Sequence, residues 1–154
     1  MAGESISSRQ AIGGTEMRIQ APVDTTLNRP EDTASIFRSI LLAECPEDRD
    51  KEHLWVAGLT SQNTIKYIEL VSLGILNASL VHPREVFRLA ITEAVASIIL
   101  CHNHPSGDPY PSEQDRQMTR QLKEGGRILG IEVLDHLIIT TSARYISLEE
   151  DGFI

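Results

Sequence analysis

A short apolar run at residues 97–101, Ser-Ile-Ile-Leu-Cys, constrains the fold strongly because two histidines and a proline follow it directly. Its β-branched content predicts a buried strand, and a strand directs side chains i and i+2 to one face. His102 and His104 are therefore expected to point the same way. Residues 105–109 then require a turn, since proline lacks an amide hydrogen and Gly107 accommodates a positive φ.

A polar helix is predicted after this turn, over residues 112–129. Met118 and Leu122 lie four residues apart, as on one stripe of a helix, and Gly130 is a natural residue just past a helix end. Asp115 falls in the first turn of this helix. A strand end with two imidazoles and a helix start with one carboxylate can converge on one pocket.

One divalent metal ion would then contact His102, His104 and Asp115. Three protein ligands with a fourth position for water are the usual pattern of a catalytic zinc site. Two structural alternatives stay open at this point. The His-x-His pair is also compatible with exposed histidines at a strand end, and Ser112 with Asp115 is spaced as a capping box.

The rest of the chain has the pattern of an α/β domain with a mixed sheet packed by helices. A helix beginning at Pro30 is expected to end near residues 44–46. The other predicted elements are strands at 52–59, 64–72 and 75–81, a helix at 83–96, and strands at 131–140 and 145–148.

Together these motifs resemble a known family. His102-x-His104-Pro105 with Ser112-x-x-Asp115 is similar to the metal signature of the JAB/JAMM (MPN-type) metallopeptidase-like domains. Residues 102–109, 81–87 and 134–138 resemble the RadC branch in order and spacing, and the likeness is continuous from about residue 29 to 153. The resemblance implies a JAB/MPN fold of cytidine-deaminase-like architecture, an α/β domain with a mixed β-sheet sandwiched by helices.

The same resemblance implies a set of site residues. Zn²⁺ would be held by His102, His104 and Asp115, and Glu52 on an early strand would activate the bound water. The Ser112 hydroxyl is a candidate second catalytic group that stabilises negative charge on the attacked oxygen. Taken alone, a glutamate at a strand start is usually a solvated charge, but the apolar strand behind Glu52 offers a pocket that would desolvate it.

Two functions follow as expectations. The first is a zinc-dependent hydrolase that attacks an amide or isopeptide carbonyl of a peptide-like substrate. The second is an accessory or binding module in DNA repair or DNA metabolism, although we expect the chain to lack the helix-hairpin-helix module of fuller RadC-like proteins. A net charge of −8 disfavours non-specific nucleic-acid binding, which depends on lysine and arginine. The four matching residues favour the hydrolase.

Composition bounds the organisation of the chain. Its 154 residues, 41% hydrophobic, support one core, which we assign to residues 29–154, with a flexible leader at 1–28. The apolar runs are too short to cross a membrane, and two cysteines, Cys45 and Cys101, fit a reducing compartment, so a cytoplasmic protein is expected. The leader and an edge strand are places where the chain could form a homo-oligomer. Cys101 is interpreted as a core residue, and His136 either as a core residue or as an outer partner of the metal ligands.

Overall fold

The computed structural model describes residues 10–12, 16–19, 25–74 and 81–154. Residues 75–80, most of the third predicted strand, lie outside them. The described strands are β1 Gln10–Ile12, β2 Glu16–Ile19, β3 Glu52–Leu59, β4 Ile65–Gly74, β5 Ser97–Asn103, β6 Glu132–Ile139 and β7 Tyr145–Ser147. The helices are α1 Pro30–Leu42, α2 Pro46–Arg49, α3 Pro83–Thr92 and α4 Glu113–Leu129.

The strands form one seven-stranded sheet in the order β1-β2-β4-β3-β5-β6-β7. Neighbouring strands are antiparallel except for β5 and β6, which run parallel. A parallel pair needs a crossover connection, and α4 supplies it. The mixed sheet predicted from the sequence is confirmed.

Strand β5 is buried on both faces of the sheet, as a near-continuous apolar run predicts. Ile99 and Cys101 belong to the apolar cluster under α1, so Cys101 is confirmed as a core residue. Ile98 and Leu100 belong to the cluster under α3 and α4. We call these two sides of the sheet the α1 face and the α3/α4 face.

The first helix ends at Leu42, slightly earlier than predicted, and the short helix α2 follows it. Pro46 was interpreted as the end of α1, whereas it occupies an early position of α2, where proline is well tolerated. The guanidinium of Arg49 donates hydrogen bonds to the carbonyl oxygens of Leu42 and Glu44, at 2.8 and 2.9 Å. Helix α2 thus supplies a hydrogen-bond donor to carbonyl oxygens at the C-terminus of α1, which have no partner within that helix.

The predicted extent of the helix at 83–96 is wrong, because α3 stops at Thr92. Ala94 is exposed and adopts a left-handed conformation with φ 52°, so it does not continue the helix. The amide of Val95 instead donates to the carbonyl of Ala90 at 3.1 Å. This turn reverses the chain so that it enters β5 within a few residues.

Helix α4 runs unbroken through Gly125 and Gly126 to Leu129, and Gly130 ends it with φ 73°, as predicted. Gly126 is required for packing, since a Cβ there would lie 2.3 Å from the carbonyl oxygen of Ile131. The missing side chain lets α4 approach the start of β6 closely. That approach sets the position of the whole helix over the sheet.

The sheet extends into the segment that the sequence assigned to a leader, residues 1–28. Strands β1 and β2 pair with each other, and β2 pairs with β4. Thr26 forms a bridge with Thr64, and Leu27 is buried in the core of the α1 face. None of the helices in the described part of the chain has the length and apolar character needed to span a bilayer.

Candidate metal centre

The two histidines lie at the carboxyl end of β5 and point the same way, as the strand pattern predicted. Their Nε2 atoms are 3.0 Å apart. His102 is fully buried, whereas 16% of the His104 side chain is exposed. The Nδ1 atom of His104 lies 2.9 Å from the carbonyl oxygen of Asp108. Since a carbonyl only accepts, this Nδ1 carries the hydrogen, and on the neutral ring the Nε2 lone pair faces His102.

Asp115 lies in the first turn of α4 and completes the group. Its Oδ1 is 3.2 Å from Nε2 of His102, and its Oδ2 is 3.1 Å from Nε2 of His104. The same carboxylate also accepts the backbone amide of Ser112 at 2.8 Å, and the Ser112 Oγ accepts the amide of Asp115 at 3.0 Å. The capping box and the metal-ligand interpretation are therefore compatible, because one carboxylate performs both tasks.

The three side chains fit the demands of a divalent metal ion. Each offers one ligand atom, and these atoms all lie within 4.8 Å of one another. Tetrahedral zinc, with bonds of about 2.0–2.1 Å, separates its ligand atoms by about 3.3 Å. The closest contacts in the group, 3.0–3.2 Å, are near that spacing. This group can therefore hold a metal ion with small side-chain adjustments.

The electrostatics of the group favour a bound cation. Burial alone would raise the pKa of Asp115, but the adjacent imidazoles of His102 and His104 outweigh it and hold this pKa far below its usual range. Burial opposes the charged form of His104, yet hydrogen bonds to Asp115 and to the Asp108 carbonyl raise its pKa. A metal ion would replace the proton that the group otherwise attracts.

Glu52 begins β3, the strand that pairs with β5. The antiparallel register places Leu54 opposite His102, so two residues further along each strand Glu52 comes opposite His104 and on the same face. Glu52 is half-buried, and its charge contributes to the raised pKa of His104. The structure thus brings Glu52 near His104 although the two are distant in sequence.

Asn103, which sequence reasoning did not single out, lies between the two histidines and is 1% exposed. Its Oδ1 accepts the backbone amide of His53 at 2.6 Å, and its Nδ2 donates to the carbonyl of Lys51 at 3.0 Å. These two backbone groups flank Glu52, so Asn103 holds the segment that carries it. An amide side chain inside a buried strand was the signal that would have found this residue.

Two further buried side chains contact the group from behind. His136 on β6 lies with its Nε2 2.6 Å from Nδ1 of His102, and Thr119 of α4 lies with its hydroxyl 2.6 Å from Nδ1 of His136. Burial, reinforced by the neighbouring His102, lowers the pKa of His136 well below its ordinary value. His136 is therefore a buried residue with satisfied hydrogen bonds, as the core interpretation expects, and it also contacts a metal-ligand candidate.

Asp135, the neighbour of His136, has a different environment. Its carboxylate accepts the Ser147 hydroxyl at 2.6 Å and the amide of Glu149 at 3.2 Å. These contacts tie β6 to β7 and to the turn after β7. Asp135 therefore serves the fold at the sheet edge rather than the metal-ligand group.

A mixed sheet with helices on both faces, with His-x-His at a strand end facing an aspartate on the following helix, defines a JAB-type α/β domain. The family model of the RadC-like JAB domain matches residues 27–153. The chain belongs to this family, as its motifs indicated.

Relatives with substantial identity are known from archaea and bacteria. The UPF0758 protein of Methanococcoides burtonii is 57% identical over 104 residues, which cover 68% of this chain and 45% of the relative. The UPF0758 protein of Desulfitobacterium hafniense is 49% identical over 132 residues, 86% of this chain and 56% of the relative. The UPF0758 protein of Clostridium botulinum is 43% identical over 141 residues, which cover 92% of this chain and 56% of the relative. The chain spans about half the length of the curated relatives it matches.

Proposed function

We propose that this domain is a zinc-dependent hydrolase of JAMM type that cleaves an amide or isopeptide bond. The observation that carries the proposal is the convergence of His102, His104 and Asp115 at 3.0–3.2 Å, with Glu52 on the adjacent strand. Two imidazole nitrogens and one carboxylate form a donor set that suits zinc and leaves a fourth position free. A bound zinc ion would lower the pKa of a coordinated water to about 7.

Glu52 is the proposed general base. It is the first residue of β3, is half-buried, and lies opposite His104, which follows the neighbouring strand β5. A carboxylate at this place accepts a proton from the attacking water and passes it to the departing amine. Asn103 keeps the backbone on both sides of Glu52 in place, so the carboxylate starts from a defined position.

Ser112 is the proposed donor to the attacked carbonyl oxygen. Its Oγ accepts the Asp115 amide through a lone pair, so the hydroxyl hydrogen stays available for the substrate. Ser112 is exposed, whereas Asp115 behind it is buried. Loss of one such donor in a hydrolase typically lowers kcat by about 10²–10³-fold.

The substrate class follows from this arrangement. Proton delivery by Glu52 fits a nitrogen leaving group, since an amine leaves an acyl carbon readily only when protonated. A peptide or an isopeptide-like amide is therefore the proposed substrate. The net charge of −8 favours a substrate that is not nucleic acid.

Metal analysis tests the first half of the proposal. Purified protein should contain close to one equivalent of zinc, and His104→Ala or Asp115→Ala should lose most of it. His82→Ala, which removes a histidine outside the group, is the matched control and should keep its zinc. Absence of zinc from the wild-type protein after incubation with zinc would refute the site.

Hydrolysis tests the second half. Glu52→Gln should bind zinc like the wild type but fail to cleave a peptide and isopeptide library, and Glu47→Gln, on the exposed helix α2, should cleave normally. Cleavage by Glu52→Gln at the wild-type rate would remove Glu52 from the mechanism. Salt-dependent DNA binding by a zinc-loaded protein that cleaves nothing would favour the accessory module instead.

A further inference from the structure

A continuous chain of hydrogen bonds connects two members of the metal-ligand group, His102 and Asp115, on the buried side of the site. It runs from Nδ1 of His102 to Nε2 of His136, at 2.6 Å. From Nδ1 of His136 it continues to the hydroxyl of Thr119, at 2.6 Å, and this hydroxyl lies 2.7 Å from the backbone carbonyl of Asp115. The three side chains are 0% exposed, so bulk water does not compete for these positions.

The direction of every bond in this chain follows from its last member. The carbonyl oxygen of Asp115 only accepts, so the single hydrogen of the Thr119 hydroxyl goes to it. The hydroxyl must then accept from Nδ1–H of His136, which leaves Nε2 of neutral His136 without hydrogen. That Nε2 accepts in turn from Nδ1–H of His102.

We propose that Thr119 and His136 are positioning residues that impose the metal-binding tautomer on His102. With its hydrogen on Nδ1, neutral His102 presents the Nε2 lone pair to His104 and Asp115. The opposite tautomer would place a hydrogen where the metal ion must bind. The inference rests on the metal site of the proposed function, but not on the reaction catalysed there.

The chain also links three elements of the fold. His102 is on β5, His136 on the parallel neighbour β6, and Thr119 on α4, one turn after Asp115. The bond from Thr119 to the Asp115 carbonyl therefore ties the tautomer of one ligand to the backbone that carries another. Such outer partners of metal-bound histidines typically contribute about 10- to 100-fold to metal affinity.

Thr119→Val is the first test, because valine keeps the β-branched shape and removes only the hydroxyl. Zinc affinity, measured by competition with a chromophoric chelator, should fall about 10- to 100-fold. Thr119→Ser restores the hydroxyl and should bind zinc nearly as the wild type does. Thr92→Val is the matched control, since Thr92 makes the same hydroxyl-to-carbonyl bond, to Arg88 at 3.0 Å, on α3 away from the site.

A second measurement needs no metal. In metal-free protein at about pH 8.5, two units above the ordinary pKa of an imidazole, two-bond ¹⁵N–¹H spectra report the tautomer of each histidine. His102 and His136 should both appear with the hydrogen on Nδ1. In Thr119→Val the Nε2–H form of His102 should become populated.

The outcomes separate this inference from the proposed function. Wild-type protein that takes up no zinc would overturn the metal site itself. Wild-type protein that binds zinc while folded Thr119→Val binds it equally well would leave the site intact and overturn the positioning role. An Nε2–H tautomer of His102 in the metal-free wild type would overturn that role as well.

Discussion

The two faces of the central sheet are built from alternate residues of the same strands, yet the metal-ligand group lies on the α3/α4 face. Under α1 the cluster consists of apolar side chains, with Phe37 packed 5.8 Å from Trp55 between ring centroids. On the α3/α4 face the apolar cluster reaches Leu100, and the next residues on that face are polar. That buried polar end contains His102, Asp115, Thr119 and His136.

The difference shows how one sheet can place an apolar core on one face and a polar candidate site on the other. Apolar burial is non-directional, so the apolar cluster of the α1 face tolerates other apolar side chains of similar volume. A buried polar group must find a partner in the protein, and each polar side chain at the end of β5 does so through specific atoms. Substitutions on the α1 face should therefore change unfolding, whereas those at the polar end should change metal binding.

The largest effect on unfolding is expected from Phe37→Ala on the α1 face. Phe37 is 0% exposed, and removing a buried phenylalanine ring costs about 3–5 kcal/mol of unfolding free energy. Urea unfolding measures the loss, and the zinc affinity of the folded protein should stay unchanged. A tenfold weaker affinity in folded Phe37→Ala would show that the two faces are coupled.

The next effect concerns the docking of α4 on the α3/α4 face. Gly126→Ala would place a Cβ 2.3 Å from the Ile131 carbonyl oxygen, and such overpacking costs about 1–3 kcal/mol. Because α4 carries Asp115 and Thr119, zinc affinity should fall too. In Gly125→Ala, the neighbouring control, the new Cβ meets Phe87 at 3.4 Å, an ordinary contact. The helix should then gain up to about 1 kcal/mol.

Asn103→Ala tests the boundary between the two roles. It removes the hydrogen bonds of the Asn103 side chain to the His53 amide and to the Lys51 carbonyl, at a cost of about 1–3 kcal/mol. Zinc content should be retained, because the three ligands stay in place. Asn28→Ala, at an exposed position, should change stability by less than about 0.5 kcal/mol. Complete loss of zinc from Asn103→Ala would mean that the hydrogen bonds of Asn103 to the backbone beside Glu52 are also needed to form the metal site.

The smallest effect is expected at the helix cap. Ser112→Ala removes the acceptor for the Asp115 amide and should cost about 1 kcal/mol, whereas Ser112→Gly should cost a few tenths. Calorimetry of the two variants measures this difference. If the protein hydrolyses a substrate, Ser112→Ala and Ser112→Gly should lower the hydrolysis rate by the same factor, since both variants lack the hydroxyl. If instead the less stable variant is also the less active one, Ser112 acts only as the helix cap.

Local sequence patterns predicted much of the framework. The strand from Glu52 to Leu59, the helix after Ser112 and its end at Gly130 agree with the structure because strand burial, capping and glycine conformations depend on near neighbours. The end of α3 was predicted wrongly, since the turn at Ala94 depends on where β5 must begin.

The contacts made by the outer partners of the site required the structure. His102 and His136 are 34 positions apart, and Asn103 and Lys51 are 52 positions apart. Thr119 looks like an ordinary helical threonine until β6 brings His136 beside it. Pairings of this kind leave no local pattern, because either partner alone is compatible with a core or a surface position.

The sequence by itself determined the candidate ligand residues, their spacing and the family, because strand alternation and helix capping act over a few residues. Only the tertiary structure decided that α4 closes against β6 at Gly126, that Glu52 faces His104, and which imidazole nitrogens carry hydrogen. The physical reason is that hydrogen-bond direction depends on every partner in a buried chain, and those partners come from distant segments.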